Sequence, residues 1–237
     1  MKNAGVQESR VSVPRTVKVD LHMHSYYSKD SLNSFDDIIR TCRRKGLDMI
    51  CLTDHNTVEG ALRLRESSPV PVIVGEEIAT SAGELLAWFL EKTIPPGLSP
   101  QETLARVREQ DGVVAISHPA DALRREAMRR PAVLEIIDQV DALEIFNSRC
   151  LLPRFNFDAQ VLARERGLPG TAGSDAHSVG EIGHAYVELP GFSTRDEFLQ
   201  NLPRAVVHGR LSWPWVHLTT TFVKRLKRRR TASTTQR

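Results

Sequence analysis

Between Val17 and Leu202 the sequence alternates short apolar runs with longer stretches of helical periodicity. That alternation limits the architectures open to the chain more than any other feature. Val17–Leu21, Met49–Thr53, Val70–Val74, Val113–Ser117, Ala142–Phe146, Gly170–Gly173 and Ala185–Leu189 have the length and apolar character of buried strands. Between them, Phe35–Lys45, a stretch reaching about Glu66, Ser99–Asp111, roughly Ala122–Gln139, Phe157–Arg166 and Thr194–Leu202 have helical spacing. Ser34 stands where a cap is needed and Gly46 where the first helix must stop. Ser99, Pro100 and Glu102 form a capping-box pattern. Ile78–Thr80 and Leu85–Leu90 flank Ser81–Glu84 and predict a hairpin. Strands separated by helices imply a largely parallel sheet with crossovers. Six or seven such units are expected to close, or nearly close, into a (β/α) barrel, with a doubly wound open sheet as the alternative.

The polar residues favour the barrel, because nearly every strand run ends in a metal-type side chain. Asp20, His22, His24 and Asp30 follow the first, Asp54 and His55 the second, and Glu76, Glu77 and, across the hairpin, Glu84 the third. His118 follows the fourth, Glu144 and Asn147 lie on the fifth, and Asp175 and His177 follow the sixth. In a parallel barrel the carboxyl ends of the strands meet on one face, so residues far apart in sequence converge there. His22 and His24 are two apart and point the same way on extended chain. Singly, each residue has an ordinary explanation as a helix cap or solvated charge; agreement at six strand ends does not. Imidazole with carboxylate suits Zn, Mn or Fe, and the ligand set exceeds what one ion takes, so two or three divalent ions are expected.

The chain's 237 residues, 41% hydrophobic and 26% charged, fit a globular domain with its own core and exclude global disorder. Cys42, Cys51 and Cys150 form no disulfide-type pattern, which points to a reducing, cytoplasmic setting. No apolar run is long enough to span a membrane, and the N-terminus has no signal-peptide core. The formal charge of +3 hides an asymmetry: Lys224–Arg230 carries six basic residues and no acid, leaving the body mildly acidic. Three segments are expected: a flexible leader at 1–15, a barrel at 16–212 and an amphipathic, basic tail at 213–237.

DLHMH (Asp20–His24), TDH (Thr53–His55), GEE (Gly75–Glu77), SHP (Ser117–Pro119) and GSDAH (Gly173–His177), in that order, resemble the motifs of the PHP (polymerase and histidinol phosphatase) superfamily over about residues 17–190. EIFNSR (Glu144–Arg149) is similar to its metal-dependent phosphoesterase branch. The resemblance implies an α/β fold, a distorted (β/α)7 TIM-like barrel, with a trinuclear centre and phosphoester hydrolysis. By motif, His22, His24 and Asp175 would hold one ion and Glu77 would bridge it to a second bound by His118. Asp30, His55 and His177 would bind the third. Glu84 replaces a His found in many relatives, and Asp30 takes another position that is sometimes His. Both replacements favour Mn or Fe over Zn.

The expected chemistry is attack on phosphorus by a metal-activated hydroxide. Asp54 and Glu76 are candidate catalytic carboxylates that accept a proton or orient a His. Asn147 and Arg149 are candidate substrate contacts. The substrate class is a phosphomonoester or phosphodiester: a nucleotide, an oligonucleotide or a small phosphorylated metabolite. The runner-up is a non-catalytic metal-binding domain associated with a nucleic-acid enzyme. A C–N hydrolase on a similar barrel fits less well, since no Lys stands at a suitable strand end. In the tail, Trp213, Trp215, Val216, Leu218, Phe222, Val223 and Leu226 precede or interleave with Lys224–Arg230. Contact with an anionic surface through this tail competes with a simple capping helix.

Overall fold

The computed structural model describes residues 16–234, with side chains to residue 227. The predicted leader and the last three residues lie outside the described residues.

Local chemistry sets the element ends. α1 (Phe35–Lys45) begins where the Ser34 hydroxyl accepts from the Asp37 N–H, and stops at Gly46, whose φ of 68° is left-handed. α3 (Pro100–Arg108) has the predicted reciprocal Ser99–Glu102 capping box. The expected helix at 122–139 is shorter: α4 covers Arg130–Ile136 and runs into a 3-10 turn. Pro131 sits in its first turn, while the Asp121 carboxylate accepts from the Leu123 and Arg124 N–H groups and holds the preceding segment in turns. α5 (Pro153–Arg166) likewise starts at a proline, before the expected Phe157. α2 (Glu59–Ser67), α6 (Arg195–Asn201) and a C-terminal α7 (Val216–Thr234) complete the helices among the described residues.

The strands are β1 (Thr16–Asp20), β2 (Met49–Leu52), β3 (Val72–Thr80), β4 (Gly83–Trp88), β5 (Val113–Ile116), β6 (Ala142–Asn147), β7 (Gly170–Gly173), β8 (Ala185–Pro190) and β9 (Val206–Gly209). They form one sheet in the order β7-β6-β5-β4-β3-β2-β1-β8-β9. The sheet is mixed rather than parallel throughout: β4 is antiparallel to β3 and β5, and β8 to β1 and β9. A two-residue hairpin turn cannot deliver a parallel neighbour, so β4 has to run the other way. Past Asp20, the first strand leaves β8 and bonds to the chain after β7. The Leu21 N–H reaches the Ala172 carbonyl at 3.3 Å, Asp175 N–H reaches His22 O at 2.7 Å, and His24 N–H reaches Ala176 O at 3.0 Å. The result is a nearly closed, barrel-shaped sheet.

Two apolar clusters divide the core. One packs α1 to α5 on the outside of the sheet through Ile50, Leu52, Val74, Ile78, Leu85, Ile116 and Leu143. The other fills the barrel with Val19, Cys51, Ile73, Leu86, Trp88, Val113, Ala115 and Ala142, and is closed below by Phe198 and Leu202. Each inward-facing series changes from apolar to polar as it climbs. β3 reads Ile73, Gly75, Glu77, β4 read backwards gives Trp88, Leu86, Glu84, and β5 gives Val113, Ala115, then Ser117 just past its end. Among the described residues no helix is long and apolar enough to cross a membrane.

Candidate metal centre

The polar ends of these series meet at the barrel mouth. His22, His24, Asp30, Glu77, Glu84, His118, Asp175 and His177 are buried, and His55 nearly so. Two of them sit on left-handed backbone: His118 at φ 33° and Asp175 at φ 54°. Such φ values are unfavourable for residues with a Cβ and are found where surrounding structure enforces them, often at functional sites. Gly173 cannot carry a side chain, because a Cβ there would lie 2.1 Å from the His22 Cβ. The glycine lets the two strand ends approach until His22 and Asp175 share a site.

Glu77 is the hub. Its Oε2 is 3.3 Å from His22 Nε2, 3.4 Å from His24 Nε2 and 3.1 Å from His55 Nδ1, while Oε1 is 3.2 Å from His118 Nε2. Asp175 Oδ1 lies 3.2 Å from His24 Nε2 and 3.6 Å from His22 Nε2. Glu84 reaches His55 Nδ1 and His118 Nε2 at 3.6 Å each. Asp30 joins from the other side, 3.5 Å from His55 Nε2 and 3.3 Å from His177 Nε2. Three sets have ligand atoms within 4.8 Å of one another: His22, His24, Glu77 and Asp175; His55, Glu77 and Glu84; and His24, His55 and His177. Glu77 is common to the first two sets, and His24 and His55 link them to the third.

The donor chemistry fits divalent cations. His22 Nδ1 is 2.8 Å from Glu144 Oε1, and a carboxylate there accepts a hydrogen bond from Nδ1–H, keeping the proton on that nitrogen. His24 Nδ1 is 3.1 Å from the Ser28 hydroxyl, which itself donates to Asp54 at 2.6 Å. The two Nε2 atoms lie 3.1 Å apart. A protonated His22 donates to His24 across this gap, and with both rings neutral the two lone pairs would face each other and suit a shared cation. Asp30 Oδ1, Glu77 Oε2, Asp175 Oδ1 and His118 Nδ1 are buried without a hydrogen-bond partner. Buried carboxylate oxygens of this kind are paired or coordinate metals, because isolation costs several kcal/mol.

The electrostatics tie the cluster together by charge. Burial opposes protonation of His22 and His55, yet Glu77 and its neighbouring carboxylates outweigh it, raising His22 and holding His55 at about 9. A divalent ion would have to displace those ring protons. Burial opposes ionisation of Glu77, yet His22 and His55 outweigh it and hold the carboxyl well below its usual range. Burial likewise opposes ionisation of Asp175, and Arg124 and His22 overcome it. Burial, with His177 and His55 nearby, lowers His24 to about 3 and keeps it neutral. Burial and the charge of Glu77 raise Glu84 to about 8. A divalent ion beside Glu84 would reverse that shift.

Around the cluster lies an outer ring. Asp54 accepts from the Ser25 N–H (2.7 Å), the Ser25 hydroxyl (2.6 Å) and Ser28, so it acts on the cluster through His24. Asn147 donates to Glu144 at 3.1 Å and Asp175 at 3.3 Å. Arg149 is committed within the protein: it lies 3.2 Å from Glu181 and 2.6 Å from His177 Nδ1, and bonds Val216 O and Thr220 on α7. Glu76 stands apart. It is on the outward series of β3, its Oε2 accepts from the Ile94 N–H at 3.0 Å, and it shares no hydrogen bond or ion pair with the cluster among the described residues. Sequence reasoning did not single out the roles of Glu144, Arg124 and Lys224. Glu144 also accepts from the His118 N–H at 2.8 Å, and its strand-end position was the available signal. Arg124 donates to Asp175 Oδ2 at 2.5 Å from a loop the periodicity reads as helix, and Lys224 of α7 lies 3.1 Å from Asp30 Oδ2. Neither had a signal in the sequence. A cleft of about 340 Å³ opens over the cluster, lined by Asp30, His55, Asp175 and His177 and by Lys29, Arg124 and Lys224.

Comparison with known proteins gives the family and the fold. Residues 20–90 match the model of the PHP domain, and residues 153–207 match that of the PHP-associated region. An uncharacterized protein of Methanocaldococcus jannaschii is 38% identical over 176 residues, covering 73% of this chain and 70% of that protein. A protein of Shewanella frigidimarina described as a probable phosphatase is 26% identical over 227 residues, covering 80% of this chain and 91% of its own. The crystal structure of PsfC from Pseudomonas syringae has the same fold, with a TM-score of 0.67 at 16% identity, over 89% of this chain and 98% of that one. The DLHMH, TDH and GEE motifs fall inside the matched domain, and the chain belongs to the PHP family.

Proposed function

We propose that the protein hydrolyses a phosphomonoester or phosphodiester at a multinuclear centre of two or three divalent ions, Mn, Fe or Zn. The observation that carries this reading is Glu77, a buried carboxylate within 3.4 Å of ring nitrogens of His22, His24, His55 and His118. In this reading His22, His24, Glu77 and Asp175 hold one ion, and His55, His118, Glu77 and Glu84 a second. His177 and Asp30, with His55, hold a third. When bound, such ions supply Lewis acidity towards phosphoryl oxygens and a water acidified towards neutral pH.

The chain's own groups do the rest. Glu144 fixes the His22 ring, and the Asp54–Ser28 pair fixes His24, so both present Nε2 to the centre. Asn147 and Arg124 orient Asp175. Lys29, Arg124 and Lys224 line the cleft and would offset the charge of a phosphate group, a positioning role. Asp54 orients rather than transfers a proton, since Ser28 stands between it and the cluster. Arg149 braces His177 against α7. The cleft is open and polar, which suits a nucleotide, an oligonucleotide end or a small phosphorylated metabolite.

The test is metal analysis of purified protein followed by a panel of phosphomonoesters and phosphodiesters with Mn, Fe and Zn. The expected result is bound metal, hydrolysis abolished by chelation and restored by one of the ions. Bound metal with no hydrolysis of any ester would favour a non-catalytic metal-binding domain instead.

A further inference from the structure

The C-terminal helix α7 has two unlike faces. At about 100° per residue, Val216, His217, Thr220, Val223, Lys224 and Lys227 fall on one arc and Leu218, Phe222 and Arg225 on the opposite one, with Trp215 in the turn that leads into the helix. The first arc is tied to the barrel. Thr220 and the Val216 carbonyl accept from Arg149, His217 Nε2 lies 3.1 Å from the Arg149 carbonyl, and Lys224 pairs with Asp30. Lys227 donates to the Tyr26 and Ser28 carbonyls at 2.7 Å each. Over residues 216–227 the helix is therefore held by its inner face, and its outer face is left to solvent.

That outer face carries large apolar side chains beside Arg225. Trp215 is 69% exposed, Leu218 63% and Phe222 66%, and Trp213, just before the helix, is 76% exposed. Contiguous exposure of this kind marks an interaction surface. The sequence beside it is strongly basic: Lys224–Arg230 holds six Lys or Arg and no acid, and with Lys224 and Lys227 bonded to the barrel the remaining four are Arg.

We propose that the outer face of α7 docks onto an anionic phospholipid bilayer, with the helix lying in the interface plane. Trp is the side chain best suited to the headgroup boundary, and Leu218 and Phe222 would enter the acyl edge. The basic block selects an anionic surface by charge complementarity. Two copies of this chain meeting face to face would bring two such blocks together, which charge disfavours. A nucleic acid would use the cations but leave Leu218 and Phe222 in water. The proposal is independent of the phosphoesterase reading, because no outer-face residue touches the metal cluster.

The experiment uses the full chain with vesicles of phosphatidylcholine alone and with added phosphatidylglycerol. Expected are co-sedimentation at least about tenfold stronger with the anionic vesicles, loss of binding at high salt, and a blue shift of tryptophan emission. Of the three tryptophans, Trp88 is already buried, so the shift reports Trp213 and Trp215. Trp213→Ser/Trp215→Ser/Phe222→Ser is expected to weaken binding by about tenfold or more while circular dichroism and ester hydrolysis stay unchanged. Arg225→Glu is expected to weaken binding to anionic vesicles only. Equal binding to both vesicle types, binding unaffected by the triple substitution, or no binding would overturn the proposal. So would a dimer in vesicle-free solution that the triple substitution abolishes, which would assign the face to a second copy.

Discussion

The floor and the mouth of the barrel are built from the same strands by opposite means. At the floor, inward residues are apolar: Ile73, Trp88, Val113 and Ala142 pack with Phe198, and the Trp88 indole N–H donates to Leu21 O at 3.0 Å. Four positions higher on β3, and four back along β4, the same inward series holds charge, Glu77 and Glu84. The floor gains stability from burial, roughly 25 cal/mol per Å² of apolar surface. The mouth gathers carboxylates and imidazoles that are costly to bury, and the cost is offset by pairing among them and would be offset further by cations between them. The contrast teaches that stability and reactivity here are separated along the strand axis.

Substitutions at the two ends should therefore fail differently. Glu77→Gln, at the mouth, is expected to lose metal and lower kcat/KM by about 10³-fold, because in the proposed reading Glu77 is the ligand shared by two ion sites. Metal content by elemental analysis and steady-state kinetics check it, and a variant retaining both would break the comparison. Trp88→Ala, at the floor, is expected to lower stability by about 3–5 kcal/mol in denaturant titration. At temperatures where it stays folded it should keep its metal. Glu144→Gln should cost about 10–100-fold in metal affinity or activity, since the ring of His22 loses its carboxylate partner but Nε2 remains.

Glu76→Gln sharpens the comparison most, with the smallest effect. Metal content and kcat/KM are expected to stay near the parent's, because Glu76 bonds Ile94 on the outward side of β3. Its stability profile should move instead. Burial pushes the Glu76 carboxyl up to about 8, from 4.5 when exposed. Below the lower value both folded and unfolded chains hold the proton, and Glu76 costs nothing. As pH rises through the window the unfolded chain ionises first, so stability falls until the folded carboxyl also ionises. The Gln variant lacks that loss, so its Tm advantage should be absent near pH 4.5 and grow towards pH 8. A profile parallel to the parent's would place the Glu76 carboxyl in a wetter site than the structure shows.

Much of the mouth was legible before any coordinates. His22 and His24 two apart, Asp54-His55, His118 and Asp175 with His177 all stand where strand runs end, and a parallel barrel has one place to put them. Glu76 and Glu77 were not separable in that way. Both follow the third strand run, and a shift of one residue exchanges inside for outside. Register with β4, Glu77 opposite Leu86 and Glu76 opposite Ala87, settles it. Arg124 was hidden for a different reason, since its segment has helical periodicity until Asp121 caps turns within it. The antiparallel β8 and β9 were equally hidden, because an apolar run carries no sign of its direction.

By itself the sequence determined the alternation of elements, the presence of a buried polar cluster of imidazoles and carboxylates, and the basic block after Phe222. Those are local properties, set by periodicity and side-chain type. Only the tertiary structure decided which of two adjacent carboxylates joins the cluster, that Glu144 and Arg124 brace it, and which face of α7 is left to solvent. Each of these depends on pairing between segments distant in the chain, and the register of such pairing is a property of the packed molecule rather than of any one segment.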